Sequence, residues 1–292
     1  MFTEHLGLRV VEMTSDSSQP MTSTIMLRVV DIRHRFHEFV NMSLHLDDAY
    51  VVTAAPDGDT GLIDVAGQTP AGVFYGVQTL LSQLSGGARR VVSGELVDAP
   101  RFAYRGLMLD VARNFVAKNV VLRTIDAMAA YKMNRLHLHL TDDQGWRLDM
   151  PGLPELTSVG ARRGHDAGPE GGRRSMLPPY LGSGPSPDDA SRNGGTGFYS
   201  REDYRDILRR AQRRHVTVVP EVDIPGHATA AIVSMRAMQG RDNMTLVDEK
   251  DLFEYVSVNG YKNNVMNICL KSSLSFVEYV ITALVDLHKV CQ

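Results

Sequence analysis

The sequence predicts an α/β protein in two parts: a small mixed α/β domain, then a series of parallel strand–helix–strand units. Three observations carry this expectation. From residue 102 onward, short apolar runs alternate with helical patterns, which is how βαβ units read. Three of those stretches break off into charged residues: RGLMLDVARNF from Arg105, NRLHLHLTDDQGWR from Asn134, and VVPEVDIPGH ending at His227. Buried parallel strands read as apolar runs, and barrels and open α/β sheets keep their chemistry at the C-terminal strand ends. The tripeptide Asp98-Ala99-Pro100 marks the boundary, giving domains over 1–100 and 101–292. On this pattern Arg113, His139, Asp142, Asp143, Glu221, Asp223 and His227 share one pocket.

In the first domain, alternating apolar stretches predict strands over 25–30 and 39–46, with a denser one over 50–54 and a short one over 62–65. Pro70 opens a helix that runs to about Leu84, with Val73, Val77, Leu80, Leu81 and Leu84 on one face; Gly86-Gly87 stops it. Residues 91–97 return as a strand. In the second domain, 107–111 is a strand, and 120–131 is a helix burying Val121, Ile125, Met128 and Ala129. A further strand covers 136–140. Residues 164–199 form a long loop rich in Gly, Pro and Ser, of the kind that is usually functional or disordered. Ser200 and Asp203 make a capping box for a helix whose buried face is Tyr204, Ile207, Leu208 and Ala211. A strand at 216–219 and a helix at 276–287, capped by Ser275 and Glu278, complete the pattern.

Composition bounds the function. The chain has 292 residues, 43% hydrophobic and 22% charged, ordinary for a soluble globular protein. The net charge of −3 gives no reason to expect nucleic acid as a partner. No apolar run reaches the length of a membrane span. The opening MFTEHLGLRVVEM lacks a basic head followed by an apolar core, so no signal peptide is expected. The two cysteines, Cys269 and Cys291, are not expected to form a structural bridge. A homo-oligomer is left open.

The charged constellations carry the chemistry. His137 and His139 face the same side of a strand, so with Asp142 they could hold a metal; equally, they could only hydrogen-bond inside the fold. Adjacent carboxylates at Asp142 and Asp143 repel each other and lose solvation unless each has a donor. Arg113 is either paired with Asp110 or a planar fork for vicinal oxygens of a ligand. Pro225-Gly226 forces a turn that sets His227 beside Glu221 and Asp223, a position for orientation or proton traffic. Trp146 is read as a packing anchor. Asp248-Glu249 and the pairs Arg209-Arg210 and Arg213-Arg214 are read as solvated faces. The triplets at Asn41 and Asn243 match glycosylation sequons, which often arise by chance.

At these residues the chain resembles the β-N-acetylhexosaminidases of glycoside hydrolase family 20. RGLMLDVARNF, YKMNRLHLHLTDDQGWR and VVPEVDIPGHATAA look like that family's catalytic-domain motifs. TPAGVFYGVQTLLSQL and DAPRFAYRG resemble the preceding domain and its junction. The resemblance implies a (β/α)8 barrel that removes terminal N-acetylglucosamine or N-acetylgalactosamine from glycoconjugates or chitin oligomers, with no metal or other cofactor. It implies that Arg113 grips the outer hydroxyls of the sugar. Asp142 and His227 would belong to a network steering the catalytic glutamate. His139, Asp143, Glu221 and Asp223 would line or support the pocket. It also implies that the substrate's acetamido oxygen attacks the anomeric carbon, while an aspartate orients that group and a glutamate protonates the leaving oxygen. The family carries this pair in a Gly-Gly-Asp-Glu-like motif that the 292 residues do not contain. NNVMNICLKSSLSFVEYVITALVDLHKV resembles the segment leading to it.

The expectation is therefore a family 20 hexosaminidase by descent with an incomplete barrel, the isolated chain being inactive or nearly so. Two alternatives are an inactive fragment or carbohydrate-binding remnant, and a metal-dependent hydrolase using His137, His139 and Asp142. By resemblance the compartment is lysosomal or extracellular.

Overall fold

A computed structural model describes residues 24–39, 43–57, 60–84, 91–162, 195–238, 245–248 and 264–289. The chain divides into two compact units, Met1–Arg101 and Phe102–Gln292.

The first unit is a four-stranded sheet in the order β1–β3–β2–β4. Its strands are β1 (Thr24–Val29), β2 (Tyr50–Asp57), β3 (Thr60–Gly67) and β4 (Gly94–Asp98). β1 runs parallel to β3, and β2 is antiparallel to both β3 and β4. Helix α1 (Pro70–Gln83) packs on the sheet; Thr69 accepts from the Gly72 N–H and caps it ahead of Pro70. The helix approaches closely at Gly72, where a Cβ would lie 2.3 Å from the Ala49 carbonyl oxygen. The expected strand over 39–46 is absent: Arg33–Phe39 and Leu46–Asp48 are 3-10 helices, and 40–42 lie outside the described residues. Ile32 and Phe36, four apart, are the buried pair here, a helical spacing that the sequence reading missed. The strand expected from 91 begins only at Gly94, whose φ of 145° suits glycine and leaves Val92 exposed before it.

The second unit is built on three parallel strands, with β6 (Arg135–Asp142) between β5 (Gly106–Asp110) and β8 (Thr217–Val222). A two-residue strand, β7 (Gly145–Trp146), folds back antiparallel on the end of β6. Helix α2 (Lys118–Ala130) connects β5 to β6 and buries the four residues expected of it. α3 (Glu155–Ser158) is a single turn. α4 (Arg201–Gln212) has the Ser200–Asp203 capping box and the buried face read from the sequence. Such a cap is worth about 1 kcal/mol. α5 (Thr229–Arg236) and α6 (Lys271–Lys289) follow. Leu136, Leu138 and Leu140 on one face of β6 join α2 and α4 in a single core. The odd-numbered residues of β6 therefore point to the opposite face.

Two sequence readings need correcting. α6 begins at Lys271, so Ser275 lies inside it and is not its cap. Ser272 and Ser273 anchor the first turn by donating to the carbonyls of Thr245 and Leu246, a tertiary contact that local spacing does not reveal. The arginines of α4 and of the turn after it are also not merely solvated: Arg210 and Arg214 pair with Asp126 of α2. Trp146 is buried, donates to the Leu148 carbonyl at 2.7 Å and packs edge-on against Phe276. Most of the 164–199 loop, both sequon asparagines, Glu249 and Cys291 lie outside the described residues; Cys269 is exposed and Asp248 is exposed. Among the described residues no helix is long and apolar enough to cross a membrane.

Candidate active site

Register places the site. Across the three parallel strands, Met108, His137 and Val219 are aligned as one layer, and Asp110, His139 and Glu221 as the next. The upper layer is at the C-terminal strand ends. One irregularity, between His139 and Thr141, shifts the pairing of β6 with β8 just above it. Asp223 remains tied to β6 by its N–H, which donates to Thr141 Oγ1 at 3.0 Å.

Asp142 is the hub. It is 1% exposed. Its Oδ2 accepts from His139 Nε2 at 2.9 Å and lies 2.6 Å from Arg113 Nη2. Its Oδ1 accepts from the Asp143 N–H at 2.7 Å and from His227 Nδ1 at 3.1 Å. Burial pushes this carboxyl up, but His139, the Asp143 N–H and the charges of Arg113 and His227 outweigh it and hold it below the ordinary carboxylate range. Arg113 is gripped on its other arm by Asp110 at 2.8 Å. Asp110 also accepts from the N–H groups of Ala112 and Arg113, so it shapes the loop that carries the arginine. Arg113 is thus paired with Asp110, and its side chain stays 31% exposed.

His139 lies between carboxylates. Burial disfavours its charged form, but the hydrogen bond to Asp142, the close carboxylate of Glu221 and the charge of Asp110 raise it to about 9. Its Nδ1 is 2.8 Å from Glu221 Oε2, a close ion pair without linear hydrogen-bond geometry. His137 Nε2 approaches the same oxygen at 2.6 Å. Glu221 and Asp223 split in character. Burial raises both, yet His139 brings Glu221 below its ordinary value, while for Asp223 burial and the adjoining Glu221 outweigh His139.

Among the described residues two groups could hold a metal: His139, Glu221 and Asp223, and Asp142, Asp143 and His227, each with ligand atoms within 4.8 Å of one another. The set suggested by the sequence, His137, His139 and Asp142, is divided. His139 turns Nε2 to Asp142 and Nδ1 to Glu221, with His137 on the Glu221 side. Beside the Asp142 group the guanidinium of Arg113 opposes a second cation.

The reason two adjacent aspartates are tolerated is that their partners differ. Asp143, fully buried, accepts from the Thr229 N–H at 3.1 Å, from Thr229 Oγ1 at 2.6 Å and from Asn264 Nδ2 at 2.9 Å. His227 Nδ1 lies 3.3 Å from its Oδ2. Behind Arg113, the fully buried Arg147 donates to the carbonyls of Ala112, Ala161 and Gly197 and stacks over Phe115. The structure therefore gathers all seven sequence-chosen residues at one end of the sheet. The sequence reading missed Arg147, Thr229 and Asn264. For Thr229 and Asn264 the signal available was the requirement that a buried carboxylate pair find donors; Arg147, which serves backbone carbonyls, left no such signal.

The profile described as "Glycosyl hydrolase family 20, catalytic domain" matches residues 102–291, and that of the family's domain 2 matches residues 2–99. The chain is 44% identical over 253 residues to the N,N'-diacetylchitobiase of Vibrio harveyi, covering 82% of the chain and 27% of the relative. It is 42% identical to a beta-hexosaminidase of Vibrio vulnificus, covering 78% and 27%. Among solved structures, the exo-beta-N-acetylglucosaminidase of Vibrio harveyi in complex with N-acetylglucosamine superposes with a TM-score of 0.68 at 34% identity, covering 82% of this chain and 34% of that one. The Streptomyces plicatus N-acetyl-beta-hexosaminidase gives 0.59 at 30% identity, covering 82% and 42%. The chain spans about a quarter of the length of these curated relatives.

Proposed function

Because the chain belongs to glycosyl hydrolase family 20, we propose that it forms the sugar-recognising part of a β-N-acetylhexosaminidase acting on terminal N-acetylglucosamine or N-acetylgalactosamine of glycoconjugates or chitin oligomers. The observation that carries this reading is the Arg113–Asp142–His227 chain at the ends of three parallel strands. Arg113 offers a planar, permanently charged donor fork for vicinal sugar hydroxyls, held in position by Asp110 and Asp142. His227, with Nδ1 turned to Asp142, keeps Nε2 for a proton-donating carboxyl. Substrate-assisted hydrolysis uses the acetamido oxygen as nucleophile, so the protein's tasks are to seat the sugar and manage the proton.

The test uses the protein expressed from its full reading frame. Release of a chromogenic aglycone from an N-acetylglucosaminide, absent with the plain glucoside and weakened by Arg113→Ala, is the expected result. No turnover of either N-acetylhexosaminide overturns the reading. Binding of N-acetylglucosamine without turnover would place the chain in a carbohydrate-binding role instead.

A further inference from the structure

We infer that Asp143, Thr229 and Asn264 form a clamp that positions His227 and fixes which of its ring nitrogens carries the proton. This rests on the reading of His227 as part of the proton machinery.

The clamp begins with an uncapped helix. α5 starts at Thr229, and the residue before it, Ala228, has no side chain that could accept from its first N–H groups. Asp143, from the turn after β6, takes that place: its Oδ1 accepts from both the N–H and the hydroxyl of Thr229. A carboxylate at a helix N-terminus is favoured by the exposed N–H groups there. Asn264 supplies the third donor, to Oδ2. The backbone of the same segment brackets the loop that carries His227: the Ala228 N–H donates to the Asn264 carbonyl at 2.9 Å, and the Met266 N–H to the Pro225 carbonyl at 2.8 Å.

The held object is His227. Its backbone has φ of 50°, uncommon for a residue with a side chain. A histidine in this conformation persists because its surroundings determine it. Its Nδ1 faces two carboxylate oxygens, Asp142 Oδ1 at 3.1 Å and Asp143 Oδ2 at 3.3 Å. The hydrogen bond to Asp142 Oδ1 requires the hydrogen on Nδ1, and the nearby negative oxygen of Asp143 favours it there, which makes Nε2 the acceptor atom of the neutral ring. Three donors hold the Asp143 carboxylate in place beside Nδ1, so Thr229 and Asn264 reinforce the tautomer that Asp142 selects without reaching the substrate. They are positioning residues.

The decisive comparison is Thr229→Val against Thr229→Ser. Valine keeps the shape and the backbone N–H but loses the hydroxyl; serine keeps both donors. Losing a hydrogen bond to a buried carboxylate should lower kcat of Thr229→Val about tenfold or more, with KM within about twofold and Thr229→Ser near wild type. Asn264→Leu should act in the same direction. Nitrogen NMR of the His227 ring in the unliganded protein reads the tautomer without any activity: a single Nδ1–H form in wild type and Thr229→Ser, and a mixture in Thr229→Val. A wild-type kcat for Thr229→Val, an equal loss in Thr229→Ser, or an unchanged tautomer in Thr229→Val would overturn the clamp. Absence of hexosaminidase turnover in the wild type would instead overturn the functional reading, while the NMR result would still decide the clamp.

Discussion

His227 Nδ1 lies 3.1 Å from Asp142 Oδ1 across 85 residues of sequence, joining the loop after β8 to the end of β6. That bond shares its carboxylate with Arg113, which holds the other oxygen. If, as proposed, Arg113 holds the sugar and His227 serves the proton donor, the two roles meet at one buried aspartate and should be separable by mutation.

Arg113→Ala should weaken substrate and sugar-like inhibitors alike. A charge-assisted fork in a partly dry site contributes roughly 1.5–3 kcal/mol, and most of the loss should appear in KM. Arg113→Lys should recover little, because a point charge cannot bridge Asp110, Asp142 and a diol together. Inhibitor dissociation constants for the two variants check this; full recovery with lysine would contradict it.

His139 should make the fold sensitive to alkali. Its imidazole is held up to about 9, above the ordinary 6.5. A group raised in the folded state contributes stability that is fully present below about 6.5 and lost as pH rises through about 9. His139→Gln should cost roughly 3 kcal/mol at pH 6, where it leaves Asp142 and Glu221 without their shared cation, and the deficit should shrink by pH 10. Urea midpoints of both proteins at several pH values measure it. A deficit independent of pH would show that the imidazolium contributes nothing.

Arg147→Met should destabilise the second unit by about 2–4 kcal/mol, since it strips donors from the buried carbonyls of Ala112 and Ala161 and the half-buried one of Gly197. It should also loosen the Arg113 loop, since Ala112 immediately precedes Arg113. Thermal unfolding with and without a sugar inhibitor reads both effects. A variant as stable as wild type would assign those carbonyls other partners.

What could be read from the sequence was local or periodic. The Ser200–Asp203 cap and the Tyr204, Ile207, Leu208 and Ala211 face need only spacing within one helix. The gathering of charged residues at the strand ends was legible because charges follow apolar strands, and parallel register then aligns Asp110, His139 and Glu221. Thr229 and Asn264 were not legible, because they meet Asp143 from 86 and 121 residues away and leave no local pattern. The start of α6 was missed for a similar reason, its first turn being fixed by carbonyls at Thr245 and Leu246. The misread strand over 39–46 had apolar residues of a strand's composition, while the buried pair was Ile32 and Phe36, just upstream of it.

The most direct measurement is a double-mutant cycle on kcat for Asp142→Asn and His227→Ala, made on the protein expressed from its full reading frame. If Asp142 acts through His227 on the proton donor, each single change should lower kcat by about 10²-fold or more, the range for general acid–base catalysis. The double change should then cost clearly less than the product of the two, as contacting residues of one network do. Multiplicative losses would contradict the network and leave Asp142 and His227 as separate structural residues.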